Sequence, residues 1–177
     1  MVRAVRRSDL SRVVLRQWRD DDREPFARLN ADPETMRYFP STLSREESDA
    51  MVDWASALIE ERGWGLWAVE VPGVAPFVGF VGLNVPRFMP DAVEIGWRLL
   101  REHWGNGYAT EAARESLRYG FEELALNEIV AFTVPANTPS RRVMERIGMT
   151  HDPARDFDHP NVPDGPLKRH VFYAITR

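Results

Sequence analysis

The segment from Glu94 to Ala113 constrains the fold more than any other part of this 177-residue sequence. Alternating apolar residues predict a strand that ends near Leu100, and a turn with Gly105 and Gly107 follows it. A helix is predicted to begin at about Tyr108. This order places a row of backbone N–H groups at a helix N-terminus, where the helix dipole adds positive potential. The segment therefore predicts an anion site, and a phosphate is the anion that such sites typically bind.

Two common phosphate-binding motifs do not fit this turn. The sequence contains no G-x-x-x-x-G-K-[ST], which argues against a P-loop nucleotidase. The turn begins like the dinucleotide motif G-x-G-x-x-G, but Thr110 stands where the third glycine belongs, and several predicted strands precede it. From this segment alone, an ordinary strand-to-helix turn with glycines for geometry stays open as the alternative.

The rest of the chain mixes predicted strands and helices without a repeat or an internal linker. Strands are predicted at residues 13–18, 64–71, 77–85, 92–100, 128–134 and 167–175. Helices are predicted after Asp20–Asp22, from the capping box that begins at Ser44, over residues 108–124 and over residues 139–147, with a further helical start after Asp32-Pro33. This order predicts one α/β or α+β domain over residues 13–177, preceded by a polar segment over residues 1–12.

Composition narrows the classes of function. The chain has no cysteine, which excludes disulfides, cysteine-bound metals and a thiol nucleophile. Its net charge of −4 argues against non-specific nucleic-acid binding, which needs a basic surface. No apolar run reaches the roughly 20 residues of a membrane span, and the histidines lack the spacing of metal ligands. We therefore expect a cytoplasmic protein without metal, nucleic-acid or membrane partners.

A second motif follows the glycine turn by about 30 residues. Asn137-Thr-Pro-Ser140 opens a predicted helix. Together the two segments resemble the GNAT acyltransferase superfamily, and most closely its ribosomal-protein N-terminal acetyltransferase-like (RimJ/RimL-type) branch. The family turn (Gln/Arg)-x-x-Gly-x-(Gly/Ala) is similar to Trp104-Gly-Asn-Gly107-Tyr-Ala109, with Trp104 in place of Gln or Arg. The family helix start Asn-x-x-(Ser/Ala) matches Asn137-x-x-Ser140.

The resemblance implies a fold and a cofactor. The implied fold is a single GNAT domain, a mixed and mostly antiparallel sheet flanked by helices, with two neighbouring strands splayed where the cofactor enters. The implied cofactor is acetyl-CoA, with its pyrophosphate on the glycine turn and its pantetheine arm along the preceding strand. The implied cofactor contacts are Trp97, Leu99, Trp104, Gly105, Asn106, Gly107, Tyr108, Ala109, Thr110, Asn137 and Ser140.

The resemblance also implies two catalytic candidates. Glu94 lies on the strand that would bind the pantetheine, so it is the candidate general base. Its alternative role is a carboxylate at the rim of the site, paired with Arg98 on the same strand face. Many relatives place a Tyr proton donor four residues after the Ser position, where this chain has Met144. Ser140 is then the candidate acid, and its alternative roles are capping the helix or hydrogen bonding to the cofactor.

The expected activity is N-acetylation by direct attack of a primary amine on the thioester. The acceptor is either a protein N-terminus, as in the ribosomal branch, or a small amine such as a polyamine, an amino acid or an aminoglycoside. Because Met144 cannot donate a proton, a non-catalytic acyl-CoA sensor or interaction module stays open as the alternative. A homodimer is also compatible with the resemblance, since many relatives dimerise.

Overall fold

The computed structural model describes residues 11–177, which form a single mixed α/β domain. The predicted polar segment over residues 1–12 therefore lies outside the described residues except for its last two. The helices are α1 (Arg23–Ala31), α2 (Arg45–Arg62), α3 (Tyr108–Glu122) and α4 (Thr138–Arg146). The strands are β1 (Val14–Arg16), β2 (Leu66–Val71), β3 (Ala75–Asn84), β4 (Glu94–Leu99), β5 (Glu128–Thr133), β6 (Thr150–His151), β7 (Phe157–Asp158) and β8 (Arg169–Thr176).

The strands form one sheet in the order β1-β2-β3-β4-β5-β8-β6, and β7 pairs with β8. Every neighbouring pair is antiparallel except β4 and β5. The predicted mixed and mostly antiparallel sheet is confirmed. Strand β4 pairs with β3 over its whole length, but its register with β5 has the single pair Glu94 and Val130. The two parallel strands therefore separate beyond Glu94, which is the splay that the resemblance implied.

Helices cover both faces of the sheet. On one face, Trp67 of β2 lies 5.3 Å from the ring of Tyr119 in α3. A Cβ at Gly120 of α3 would come within 2.6 Å of Ile129 Cδ1, so glycine lets this helix lie close to β5. On the opposite face, Phe26 of α1 packs 5.9 Å from Phe80 of β3. Strand alternation thus divides the core between α3 on one side and α1 with α2 on the other.

Local sequence signals set the ends of α2. The Ser44 hydroxyl accepts a hydrogen bond from the Glu47 N–H (3.1 Å), and the Glu47 carboxylate accepts one from the Ser44 N–H (2.7 Å). This capping box satisfies two N–H groups at the helix start. The helix ends at Gly63, whose φ of 81° lies in the left-handed region that glycine tolerates. Both predicted ends are confirmed.

The predicted helical start after Asp32-Pro33 is wrong. Residues 33–38 form turns. The Asp32 carboxylate accepts hydrogen bonds from the N–H groups of Glu34 (3.3 Å) and Thr35 (3.2 Å), as an N-cap does. The helix does not continue, because Pro40 disfavours helical backbone at Phe39 and so leaves only these six residues for it. Within residues 11–177, no helix is long and apolar enough to cross a membrane.

Candidate functional site

The gap between β4 and β5 is bordered by backbone groups of β4. Neighbouring residues of an antiparallel strand direct their N–H and C=O groups to opposite sides. Leu100 N–H donates to Val78 C=O on the β3 side (2.9 Å), so the register directs the groups of Trp97 and Leu99 to the other side. There β5 has already diverged. The Leu99 carbonyl accepts from the Trp104 indole (2.8 Å), which leaves the Trp97 groups and the Leu99 N–H facing the gap.

The glycine turn presents a row of free N–H groups. Gly105 and Gly107 have φ values of 76° and 82°, in the left-handed region. The Asn106 amide holds the turn by donating to the carbonyls of His103 (3.2 Å) and Trp104 (3.0 Å). Within residues 11–177, the N–H groups of residues 105–110 have no acceptor, because the first helical bond there runs from Glu111 N–H to Gly107 C=O. Six consecutive donors therefore face outward at the N-terminus of α3.

Arg12 lies beside this turn, and sequence reasoning missed it. Its Nη2 donates to the carbonyl of Asn106 (3.0 Å), and its Nε pairs with Glu111 (2.9 Å). Its guanidinium lies 5.1 Å from the centre of the Tyr108 ring. The contacts join positions more than 90 residues apart, so no local pattern in the sequence could reveal them. Arg12 adds positive charge to the place where an anion is expected.

The Glu94 carboxyl makes no hydrogen bond or ion pair with any residue in the described part of the chain. It begins β4, at the only register pair with β5, and its residue is half-buried. Burial raises the pKa of its carboxyl to about 8. The alternative role of Glu94 as a partner of Arg98 is wrong, because Arg98 donates instead to Asn30 Oδ1 (2.5 Å). The ionised form of a carboxyl with a raised pKa and no partner is a stronger base than an ordinary carboxylate, so it is suited to accept a proton.

Asn137 and Ser140 lie at the start of α4, four residues after β5 ends. The Asn137 side chain accepts from the Ser140 N–H (3.3 Å) and donates to Thr133 Oγ1 (2.9 Å). Asn137 therefore caps the helix, and both ends of its amide are used within the protein. The Ser140 hydroxyl has no partner in residues 11–177, so the capping role belongs to Asn137. Ser140 stands one turn before the buried Met144 and shares its inward face.

The turn and the start of α4 lie at the same end of the gap. Strands β4 and β5 are parallel, so their C-terminal ends meet at one edge of the sheet. The glycine turn follows β4, and Asn137 with Ser140 follows β5. Glu94 lies towards the other end of the gap, where the strands are still paired. No hydrogen bond joins Glu94 to Ser140 among the described residues. The structure thus places the predicted site residues around one gap.

Three further side chains could carry a proton: Tyr173, His159 and His170. The Tyr173 hydroxyl lies between Arg141 Nε (3.1 Å) and Glu145 Oε1 (3.3 Å), so it is held by α4 side chains. Burial lowers the pKa of both His159 and His170, which keeps their rings neutral at neutral pH. Neither finding adds a proton donor to the gap.

An aromatic cluster borders the Glu94 face on the β5 side. Phe132 lies two residues after Val130, so it shares the sheet face of Glu94. Its ring lies 5.7 Å from Phe88, and the His159 ring lies 4.5 Å from Phe88 and 4.9 Å from His170. Sequence reasoning missed this cluster, because its members come from four separate segments. Within residues 11–177, no group of three acidic or histidine side chains could hold a metal ion.

Comparison with known sequences places this geometry in a family. Residues 12–150 match the acetyltransferase (GNAT) domain. An uncharacterized protein of Bacillus subtilis, YkkB, is 38% identical over 143 residues, covering 78% of this chain and 81% of that protein. An FsC-acetyl coenzyme A-N(2)-transacetylase of Aspergillus fumigatus is 34% identical over 167 residues, covering 89% of this chain and 70% of that protein.

Solved structures share the fold over almost the whole chain. An acetyltransferase of the GNAT family from Bacillus anthracis has a TM-score of 0.81 at 28% identity, covering 98% of each chain. RimL, a ribosomal L7/L12 α-N-protein acetyltransferase solved with coenzyme A, has a TM-score of 0.77 at 16% identity, covering 98% of each chain, which shows the fold alone. The matching domain, the sequence relatives and the shared fold lead to one conclusion: this chain belongs to the GNAT family and is an N-acetyltransferase.

Proposed function

We propose that this protein transfers the acetyl group of acetyl-CoA to a primary amine by direct attack of the amine on the thioester. One observation supports the proposed binding of acetyl-CoA. The free backbone groups of Trp97 and the free N–H of Leu99 lead along β4 to the free N–H groups of residues 105–110. This track offers hydrogen bonds to a peptide-like arm and then to an anion, in the order in which coenzyme A carries its pantetheine and its pyrophosphate.

Different residues of the protein bind different parts of acetyl-CoA. Trp97 and Leu99 bind the amides of the pantetheine through their backbone, and the turn from Gly105 to Thr110 binds the pyrophosphate. Trp104 and Asn106 hold that turn in shape through bonds to Leu99 and to the turn carbonyls. Asn137 and Ser140 approach from the opposite side of the gap. Bound acetyl-CoA supplies an activated acyl group, and the protein supplies its orientation.

Glu94 acts as the general base of the proposed reaction. The attacking amine must lose a proton, and a carboxyl whose pKa is raised by burial to about 8 is in its ionised form a stronger base than an ordinary carboxylate. Glu94 shares its sheet face with Phe132 of the aromatic cluster, and its carboxyl has no competing partner among residues 11–177. Ser140 donates a proton to the leaving thiolate, because its hydroxyl is free and Met144 offers no proton.

Two acceptor classes remain within this proposal, a protein N-terminus and a small amine. Related folds include proteins described as ribosomal-protein acetyltransferases and as a spermidine N-acetyltransferase. A shared fold does not fix the acceptor. A cytoplasmic location and a homodimer stay predictions.

A second function is favoured by one observation, the buried Met144 at the position where many relatives have a tyrosine. Without that acid, the domain could bind an acyl-CoA as a sensor and transfer nothing. Acetyl-CoA binding without turnover of any amine would favour this function.

An assay of thiol release with a panel of amines tests the proposal. In saturating acetyl-CoA, we expect Glu94→Gln to lower kcat by about a hundredfold, within the usual range for a general base. The matched control is Glu128→Gln, which removes a carboxylate of neighbouring β5 that pairs with Arg155 on the surface (2.8 Å). For Ser140→Ala, the control is Thr138→Ala at an exposed position of the same helix start.

The outcomes separate the two functions. Equal rates for Glu94→Gln and its control contradict the role of Glu94. Calorimetry measures the affinity for acetyl-CoA independently of turnover. A folded protein that binds no CoA ester contradicts both functions.

A further inference from the structure

Arg98 is a half-buried arginine without a carboxylate partner among residues 11–177. Arg16, which is buried, has such partners: both oxygens of Asp22 (2.7 and 2.8 Å) and Glu70 (2.9 Å). Arg98 has one acceptor within residues 11–177, the neutral amide oxygen of Asn30, and its Nε is buried with no partner. Buried charges in proteins are normally paired, because an unpaired charge loses its hydration without compensation. The positive charge of Arg98 is therefore not balanced by any carboxylate in residues 11–177.

The guanidinium of Arg98 is fixed in place despite lacking that partner. It lies 4.2 Å from the centre of the Phe39 ring and 5.5 Å from that of Phe80. Asn30 is fully buried, and its own amide group donates to Ser48 Oγ (2.9 Å), which directs its oxygen to Arg98. Burial lowers the pKa of Arg98 to about 10, so the group stays charged at neutral pH. The held guanidinium keeps free donors that suit a planar anion.

Arg98 and the candidate base lie on the same face of β4, with a glycine between them. Glu94, Gly96 and Arg98 share one face of β4, since side chains alternate along a strand. A Cβ added at Gly96 would meet nothing within 4 Å. The Cα atoms of Glu94 and Arg98 are about 13 Å apart, from the rise of a strand. Phe39, which covers the guanidinium, is 39% exposed, so this end of the face is reached from solvent.

We propose that Arg98 binds a carboxylate of the amine acceptor, while the amine lies at Glu94 and the body of the acceptor lies over Gly96. This inference rests on the proposed N-acetyltransferase function and names its substrate class. The acceptor carries a carboxylate several bonds from its amine, because the two side chains start about 13 Å apart. Free amino acids with a separated carboxylate and peptides with an acidic residue near the N-terminus both supply this chemistry. A polyamine is disfavoured, because its second cation would meet the guanidinium.

The test compares carboxylate acceptors with their neutral amides. The small acceptors are γ-aminobutyrate and ε-aminocaproate, each compared with its own amide. The peptide acceptors are the C-terminal amides of Ser-Glu and Ala-Asp, compared with those of Ser-Gln and Ala-Asn. We expect the acid of the preferred pair to have a kcat/KM at least about tenfold higher than its amide, through KM. The better pair shows whether the carboxylate comes from a small molecule or from a peptide.

Variants test whether Arg98 causes the preference for acids over amides. Arg98→Gln removes the preference for the acid, and Arg98→Lys restores part of it because the charge returns without the planar fork. The matched control is Arg155→Gln, since Arg155 also lies over a phenylalanine ring (4.0 Å from Phe172) but has Glu128 as its partner. Arg155→Gln keeps the preference. Thermal unfolding of each variant verifies that the fold is intact.

The results separate this inference from the proposed function. Equal kcat/KM for acids and amides in the unmodified protein overturns the inference, whatever the variants do. A preference that survives in folded Arg98→Gln also overturns it. Loss of acetyl-CoA binding contradicts the proposed function instead. If no amine is acetylated, saturation-transfer NMR with ε-aminocaproate and its amide on the CoA-loaded protein decides: acid-selective binding that needs Arg98 supports the inference, and equal or absent binding overturns it.

Discussion

The edge of β4 that borders the gap and the face of β4 that carries Glu94 are built from different chemical groups. The edge offers backbone N–H and C=O groups, from Trp97 along the strand to the turn at Gly107. The face offers side chains, the carboxyl of Glu94 and the guanidinium of Arg98. A side-chain substitution leaves backbone N–H and C=O groups in place, so the edge suits binding of the proposed acetyl donor whatever the acceptor. Side chains change easily, so the face is where acceptors can differ.

The two regions also differ in what fixes them. The edge is fixed by strand register and by the left-handed conformations of Gly105 and Gly107, which are local properties. The face depends on groups brought from distant segments, such as Asn30 and Phe39 against Arg98. A change at the edge should therefore alter donor binding alone, and a change on the face should alter acceptor use and proton transfer.

The largest expected effect concerns the face: Glu94 should make kcat/KM depend on pH. Because burial raises the pKa of Glu94 to about 8, the base is mostly protonated at pH 6 and ionised at pH 9. We expect the ratio of kcat/KM for the unmodified protein to that for Glu94→Gln to rise about tenfold per pH unit below 8 and to level above it. The ratio cancels the ionisation of the amine itself. A ratio that does not vary between pH 6 and pH 9 would contradict the assignment of Glu94.

A smaller effect is expected at the edge, where a substitution in the glycine turn should weaken the binding of acetyl-CoA. Gly107→Val places a β-branched residue at a φ of 82°, which costs about 1–3 kcal/mol and distorts the turn. We expect the Kd for acetyl-CoA, measured by calorimetry, to rise about tenfold or more. Gly73→Val is the matched control, because Gly73 has a φ of 80° in the β2–β3 turn, away from the gap. Equal losses of affinity in the two variants would mean that strain, and not the turn's donors, is responsible.

The smallest expected effect concerns stability. Below about pH 4.5, Glu94 is protonated in both the folded and unfolded chains; between there and pH 8, only the unfolded chain releases the proton. The free energy of unfolding therefore falls as pH rises through this window. Glu94→Gln removes that loss, which for a half-buried group is on the order of 1 kcal/mol. We expect its Tm to be about 2–4 °C higher at pH 8 and unchanged at pH 4.

Calorimetry at the two pH values measures this difference. A substitution that stabilises the fold while it slows the reaction marks a carboxyl kept for function at a cost in stability. A lower Tm for Glu94→Gln at pH 8 would show instead that the carboxyl stabilises the fold.

The sequence predicted the edge better than the face, for physical reasons. The glycine turn, the capping box of α2 and its end at Gly63 depend on neighbouring residues, so local patterns predict them. The splay of β4 from β5 came from the family resemblance, because no residue pattern encodes where two strands separate. The pairing of Glu94 with Arg98 was wrong, since a strand pattern cannot show that Asn30 lies within reach of Arg98.

The contacts of Arg12 have the same origin. Arg12 reaches the turn from the far end of the sequence, and its role could not be seen in a segment that looked merely polar. The helix predicted after Asp32 is missing for a local reason: Asp32 caps the segment, but Pro40 disfavours helical backbone at Phe39 and leaves only residues 33–38 for it.

Amide hydrogen exchange with and without coenzyme A tests the contrast between edge and face most directly. If the edge binds the donor, coenzyme A slows exchange at the amides of Trp97 and Leu99 and across residues 105–110. The amides of Gly96 and Arg98 already bond to β3 by register, so their exchange stays unchanged. Unchanged exchange at the turn and along the Trp97 edge, in a protein shown by calorimetry to bind coenzyme A, would contradict the account.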